Sequence, residues 1–141
     1  MILTLLAPLI ALAIVGAAAL LLRAQRARTM DLVGHRIEAQ PALGGAAGPA
    51  LLYFTGESCT ICHTAQTPAL RRLDGMLSQP VAVREIDVAL EPALARSYRV
   101  MSLPTTVVLD PHGRVAAVNV GFASAERLRE QLDGARQAVA A

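Results

Sequence analysis

Hydrophobic and polar positions along this chain predict one long apolar segment followed by a small α/β domain. Residues 1–22 form an apolar run without a charged side chain. At about 1.5 Å per residue, a helix of this length is about 33 Å long and can cross the hydrocarbon core of a bilayer. A cleaved signal peptide has a basic start and a small-residue cleavage site before a polar mature sequence. Here no basic side chain precedes the run and leucines follow its alanines, so the pattern predicts a retained transmembrane helix.

Beyond the apolar run, the hydrophobic periodicity changes repeatedly between that of strands and that of helices. It predicts strands at residues 50–55, 81–88, 105–109 and 115–120, and helices at residues 60–78, 91–98 and from 124 onward. The predicted order is β-α-β-α-β-β-α. A helical crossover makes the first two strands parallel, and a short turn makes the last two an antiparallel hairpin. We expect a mixed central sheet flanked by helices.

The same pattern divides the chain into three units. Residues 1–22 are the predicted transmembrane anchor, residues 23–48 a basic juxtamembrane segment and flexible linker, and residues 49–141 the folded domain. Proline, glycine and alanine dominate residues 41–49, a composition typical of a flexible link. Residues 29–40 fit either a continuation of the helix or a weak first strand.

The distribution of charge bears on topology and on partners. All 13 basic side chains are arginines, and Arg23, Arg26 and Arg28 follow the apolar run directly. The other ten stand against 11 acidic residues, so no basic face is left for nucleic acid and we expect no such partner. By the positive-inside tendency, the three arginines favour a domain that faces the cytoplasm, although the extracytoplasmic side stays open.

The chemistry of the domain centres on its only two cysteines, Cys59 and Cys62. They lie between a predicted strand and a predicted helix, with two residues between them. At a helix N-terminus, free backbone N–H groups and the helix dipole favour the thiolate, which is the form that attacks disulfides. This spacing brings the two sulfurs close enough to bond to each other. The first hypothesis is therefore a redox pair.

From about Pro49 onward the chain resembles the thioredoxin family. The resemblance rests on the sequence Cys-Thr-Ile-Cys after the first strand, on residues 98–105 with Pro104 before a strand, and on Gly113 and Gly121. It implies a thioredoxin-like fold and protein-disulfide oxidoreductase activity. A trans proline that only starts an edge strand is the alternative for Pro104.

The resemblance also implies the roles of the site residues. Cys59 would be the nucleophile of thiol–disulfide exchange and Cys62 the resolving thiol, and the two would form the redox-active disulfide. The Leu103–Pro104 peptide bond would be cis, and Leu103 and Pro104 would form the substrate groove, where an extended substrate segment pairs with the backbone. No bound cofactor and no metal are needed, since the cysteines carry the electrons.

Four positions depart from the family pattern. Ser58 replaces an aromatic residue, Tyr53 replaces a buried carboxylate that helps to deprotonate the second cysteine, and Val83 replaces a lysine paired with that carboxylate. The proline of the following helix, Pro68, comes six residues after Cys62 rather than five.

Because the buried carboxylate is missing, another group would have to accept the proton of Cys62. Glu57, Glu85 and Asp87 are the candidates, although each is also an ordinary surface carboxylate. His63 follows the second cysteine directly and is a candidate for tuning the thiols.

Two metal-containing alternatives use the same cysteines. Cys59-Thr60-Ile61-Cys62-His63 also matches the attachment motif of c-type haem, for which Met76 or Met101 would supply the second axial ligand. The segments on both sides of the motif are rich in predicted strands, whereas small c-type cytochromes are mostly helical. The chain also has only four aromatic residues, which are few for a haem pocket. A zinc site has less support in the sequence than haem attachment, because His35, His63 and His112 are scattered and no second ligand pair is present.

The sequence thus predicts a membrane-tethered thiol–disulfide oxidoreductase, more a reductant than an oxidant. Its partners would be protein disulfide or dithiol substrates and a redox donor at or near the membrane. The alternatives are the c-type haem electron carrier and a non-catalytic thioredoxin-like interaction module.

Overall fold

The computed structural model describes residues 2–38 and 48–140 of this chain. A long helix comes first, and a strand–helix–strand–helix–hairpin–helix series follows. The elements are α1 (Ile2–Met30), β1 (Ala50–Thr55), a π-helical turn (Cys62–Gln66), α2 (Thr67–Met76), β2 (Ala82–Asp87), α3 (Pro92–Ser97), β3 (Thr105–Leu109), β4 (Val115–Val120) and α4 (Ala125–Ala140).

The four strands form one mixed sheet in the order β2-β1-β3-β4. β1 runs parallel to β2 and antiparallel to β3, and β3 runs antiparallel to β4. The predicted element order, the parallel first pair and the hairpin are therefore confirmed. All six residues of β1 are buried, as expected of a central strand covered on both faces.

The sheet separates two layers of the hydrophobic core. One layer lies between the sheet and α3 and contains Leu52, Phe54, Ile86 and Tyr98. The other lies between the sheet and the helices α2 and α4, where Leu51 and Leu73 are members. Alternate residues of β1 thus point to opposite layers.

The helix α1 carries exposed apolar side chains, among them Leu9 and Leu12 at 62% and 70% exposure. Within the described part of the chain, no helix has the combination of length and apolar character that a bilayer crossing requires. The transmembrane helix expected at residues 1–22 therefore stays a prediction.

Residues 31–37 connect α1 to the edge of the sheet. The N–H of Gly34 donates to the carbonyl of Val115 at 2.7 Å, and the N–H of Val115 donates to the carbonyl of His35 at 3.0 Å. Leu32 is 5% exposed and belongs to the core layer on the α3 side. The expectations for residues 29–40 are both met in part, because the helix ends at Met30 and an isolated antiparallel bridge follows at Arg36. Most of the link expected at residues 41–49 lies outside the described residues.

Candidate active site

The two cysteines lie at the junction between the end of β1 and the helix that follows it. They are joined by a disulfide with a Cα–Cα distance of 5.3 Å. The loop that leads to them is closed by the N–H of Cys59, which donates to the carbonyl of Gly56 at 3.0 Å. Cys59 is partly exposed, whereas Cys62 is completely buried. A reaction partner from solvent therefore meets the sulfur of Cys59 first.

Cys59 occupies the N-cap position of the helix that follows. Its carbonyl accepts from the N–H of His63 at 3.4 Å, and its Sγ accepts from the N–H of Cys62 at 3.3 Å. A sulfur that receives a backbone N–H at a helix N-terminus is stabilised as a thiolate when the disulfide opens. The geometry thus gives Cys59 the environment of an attacking or leaving thiolate.

The helix after the cysteines begins with a single π-helical turn, Cys62–Gln66, in which the N–H of Thr67 bonds to the carbonyl of Cys62. A π-helical turn inserts one residue into an α-helix. This insertion explains why Pro68 follows Cys62 by six residues rather than five. Pro68 then lies in the first turn of α2, where its missing N–H is harmless.

The hydroxyl of Tyr53 also bonds to the carbonyl of Cys62. It donates to the carbonyl oxygen of Cys62 at 3.1 Å and lies 3.4 Å from Oγ1 of Thr67. The residue that replaces the family's buried carboxylate therefore holds the backbone of the second cysteine. It provides a hydrogen bond to the π-helical turn and no carboxylate to receive a proton.

A buried glutamine ties this helix to the far end of the sheet. The side chain of Gln66 accepts from the N–H of Ala123 at 2.9 Å and donates to the carbonyl of Ala123 at 3.1 Å. The clamp fixes the segment between β4 and α4, which includes the exposed Phe122. Sequence reasoning missed this role, because a polar residue on a helix carries no signal of a partner 57 positions away.

The Leu103–Pro104 peptide bond is cis, as the resemblance implied. Leu103 lies against the cysteine loop: a Cβ added to Gly56 would stand 3.1 Å from Cδ1 of Leu103. The carbonyl of Pro104 is held by the N–H of Gly121 at 2.8 Å. The structure thus brings Leu103, which precedes the cis bond, beside the loop that carries the disulfide. The part of Leu103 and Pro104 in binding substrate stays a prediction.

The predicted proton acceptors and tuning residues collect on one side of the disulfide. Glu57, His63, Glu85 and Asp87 line a common cavity. The Nε2 of His63 lies 3.0 Å from the carbonyl oxygen of Glu57. Within residues 2–38 and 48–140, no hydrogen bond joins any of these carboxylates to a cysteine sulfur. The proton acceptor of Cys62 therefore stays a prediction.

The cysteine and histidine side chains that haem attachment or a zinc site would require have other partners in this structure. The two sulfurs are bonded to each other, and the ring of His63 is directed to the backbone of Glu57. Among the described residues, no three His, Cys, Asp or Glu side chains converge in a way that would hold a metal ion. The donor set thus favours disulfide chemistry over haem attachment or zinc.

The comparisons with known proteins agree with this arrangement. The family model of the thioredoxin-like domain matches residues 38–136. A thioredoxin-like protein of Synechocystis is 33% identical over 90 residues, which cover 64% of this chain and 84% of that protein. The thioredoxin of Bacillus subtilis is 35% identical over 83 residues, covering 59% of this chain and 78% of the relative.

A solved structure shares the fold. The structure of thioredoxin-2, described as a component of the protein secretion machinery of the malaria parasite, superposes with a TM-score of 0.59. The two are 24% identical, and the match covers 72% of this chain and 95% of the other. The mixed sheet with flanking helices that the sequence predicts is thereby confirmed as a thioredoxin-like fold.

Proposed function

Because this chain belongs to the thioredoxin-like domain family, we propose that it is a protein-disulfide oxidoreductase that works through Cys59 and Cys62. The observation that carries the proposal is the disulfide at the helix N-terminus, with its first sulfur partly exposed and its second buried. A disulfide that only stabilised the fold would contribute little here, because the loop it closes is very short. Exchange with other disulfides uses the features that the site has.

In the reducing direction, the thiolate of Cys59 attacks one sulfur of a substrate disulfide and forms a mixed disulfide, while the other substrate sulfur leaves as a thiolate. Cys62 then loses its proton and attacks Sγ of Cys59. The second substrate thiolate leaves, and the Cys59–Cys62 disulfide is restored. Two electrons pass to the substrate, whose two thiolates take up two protons. Oxidation of a dithiol follows the same steps in reverse.

Three features support the assignment of roles. Cys62 is completely buried, so it meets only a sulfur already attached to Cys59. The N–H of Cys62 stabilises the Cys59 thiolate as nucleophile and as leaving group. The backbone at Leu103, which precedes the cis bond beside the cysteine loop, would pair with an extended substrate segment in the manner of strand addition.

We further propose that the protein is a reductant tethered to a membrane. The uncharged run at residues 1–22 and the arginines after it favour an anchor with a domain in the cytoplasm, where thiols are kept reduced. Residues 23–48 would connect the anchor to the oxidoreductase domain at residues 49–141. Substrates and a redox donor at or near the membrane follow from such a tether.

The exchange mechanism is tested with the reduced full chain and a peptide disulfide. The Cys62→Ser variant should accumulate a mixed disulfide on Cys59, detected by mass spectrometry, since the resolving step is lost. The Cys59→Ser variant should form none and should lose exchange, whereas the Ser58→Ala control should react like the wild type. A Cys59→Ser variant with full exchange activity would refute the proposed mechanism, whereas a wild-type chain without exchange activity would leave only a non-catalytic binding module.

Direction and tether have separate tests. Equilibration in glutathione buffers should give a reduction potential at or below the cytosolic glutathione poise of about −220 to −260 mV, whereas a clearly higher potential would indicate an oxidant. In cells, the full chain should stay in the membrane fraction after alkaline extraction. A chain recovered in the supernatant would contradict the anchor and leave the exchange chemistry untouched.

A further inference from the structure

A cavity of about 500 Å³ lies beside the disulfide on the side of β2. Glu57 and His63, which flank the two cysteines in the sequence, form one part of its wall. Glu85 and Asp87, at the end of the edge strand β2, form another part. A substrate segment bound at Cys59 would therefore have this cavity as a neighbour. Its volume is in the range of sites that bind small ligands or side chains.

The cavity is strongly acidic. Four carboxylates line it, and one of them, Glu91, has a cationic partner, since Arg84 donates to both of its oxygens at 2.8 and 2.9 Å. Within the described parts of the chain, Glu57, Glu85 and Asp87 form no ion pair. One oxygen of Asp87 accepts the N–H of Ala89 at 2.8 Å. Three carboxylates without an ion pair thus contribute a negative field beside the disulfide.

An independent observation marks the inner wall of the same cavity. Thr55, the last residue of β1, lines it and is only 4% exposed. Its Oγ1 is buried and has no hydrogen-bond partner among the described residues. A buried hydroxyl without a partner is costly, and a donor that enters the cavity at Thr55 would remove this cost. The acidic walls and the hydroxyl acceptor therefore favour the same kind of occupant, a cation with several N–H donors.

The spacing of the carboxylates decides between a metal ion and an organic cation. In the part of the chain that the structure describes, no group of three acidic, histidine or cysteine side chains converges as metal ligands do. A guanidinium or ammonium group carries several donors on a long stem and can bridge carboxylates that stand apart. We propose that this cavity, defined by Thr55, Glu57, Glu85 and Asp87, is a specificity subsite for a basic side chain of the protein substrate.

This inference rests on the proposed exchange function and adds a substrate class to it. A Lys or Arg side chain near the reactive cysteine of the substrate enters the acidic subsite while the substrate sulfur meets Cys59. The contact raises the rate of encounter and of mixed-disulfide formation, and added salt screens it. Substrates with an acidic side chain at the same place are repelled.

The test measures exchange between the reduced full chain and matched peptide disulfides. Each peptide carries a fluorophore and a quencher on opposite sides of the disulfide, and one position near the cysteine is Arg, Lys, norleucine or Glu. That position is varied over the residues that flank the cysteine. At low salt the Arg and Lys peptides should react at least roughly fivefold faster than the norleucine peptide at the best position, and the Glu peptide more slowly. High salt should reduce these differences.

The Glu85→Gln/Asp87→Asn variant should bring the ratio of the Arg to the norleucine rate close to one. The Glu130→Gln control, which removes an exposed carboxylate on α4, should keep the wild-type ratio. A uniform loss of rate in the double variant with an unchanged ratio, or equal wild-type rates for all peptides, would overturn the subsite and leave the exchange function standing. Absence of exchange with every peptide would instead refute the proposed function.

Discussion

The two tyrosines of this chain bury their hydroxyl groups in opposite hydrogen-bonding states, and their replacement by phenylalanine should have opposite effects on stability. Tyr53 is 1% exposed and donates to the carbonyl of Cys62 at 3.1 Å. Tyr98 is 0% exposed, with its ring 5.6 Å from that of Phe54, and its hydroxyl has no hydrogen-bond partner among the described residues.

The magnitudes follow from these contacts. In Tyr98→Phe, an unpaired polar atom leaves the core, which relieves about 1–3 kcal/mol of desolvation, and the small void left behind offsets part of this gain. We expect a net stabilisation of about 1 kcal/mol. Tyr53→Phe removes one hydrogen bond, but the carbonyl of Cys62 keeps the N–H of Thr67 as a partner. We expect this variant to lose about 1 kcal/mol.

Urea unfolding of the oxidised full chain, followed by far-ultraviolet circular dichroism, measures both changes under identical conditions. The midpoints should move in opposite directions at an unchanged slope. Equal destabilisation by the two substitutions would refute the reasoning, because it would mean that the hydroxyl of Tyr98 makes a favourable interaction in the folded chain.

Alkaline pH provides a second readout of Tyr98. Burial raises the pKa of Tyr98 from its ordinary value of 10.0 to about 12. Between these values the unfolded chain releases the phenolic proton while the folded chain keeps it, so stability falls as the pH rises from 10 to 12. The contribution is fully present below pH 10. The advantage of Tyr98→Phe over the wild type should therefore grow above pH 10, and a constant advantage would contradict the raised pKa.

Two further substitutions examine the supports of the site. Gln66→Leu leaves the buried N–H and carbonyl of Ala123 without their side-chain partner, so urea unfolding should show a loss of about 2–4 kcal/mol; a loss below about 1 kcal/mol would mean that the clamp is replaceable. Gly56→Ala places a Cβ 3.1 Å from Cδ1 of Leu103, so exchange with a peptide disulfide should slow severalfold while labelling of Cys59 by a small thiol reagent is kept. Gly75→Ala, whose Cβ would meet nothing within 4 Å, is its control and should exchange at the wild-type rate.

The secondary-structure elements were predictable from the sequence because each depends on a pattern of neighbouring residues. Runs of apolar and β-branched residues predict the four strands and their order along the chain. The turn residues at 110–113 predict the hairpin. The redox pair was visible for the same reason, because Cys59 and Cys62 are close in sequence and lie at a strand–helix junction. The resemblance to the thioredoxin family added the cis bond at Pro104, which no local pattern requires.

The departures from the family pattern had consequences that only the structure shows. The extra residue before Pro68 is absorbed by a π-helical turn, although the sequence contains no sign of where the helix widens. The sequence shows that Tyr53 stands where the family has a buried carboxylate. Its hydrogen bond to the carbonyl of Cys62, however, depends on how β1 and the helix pack. The clamp of Gln66 on Ala123 joins segments that are 57 residues apart.

By itself, the sequence determined the elements, their order and the disulfide chemistry, because each depends on residues within one strand, one turn or one helical repeat. The tertiary structure alone decided which distant side chains share a space. It brought Glu57 and His63 from the cysteine loop together with Glu85 and Asp87 from the edge of the sheet. The parallel pairing of β1 with β2 sets Thr55 opposite Asp87, and register between strands is a property of packing that no single segment encodes.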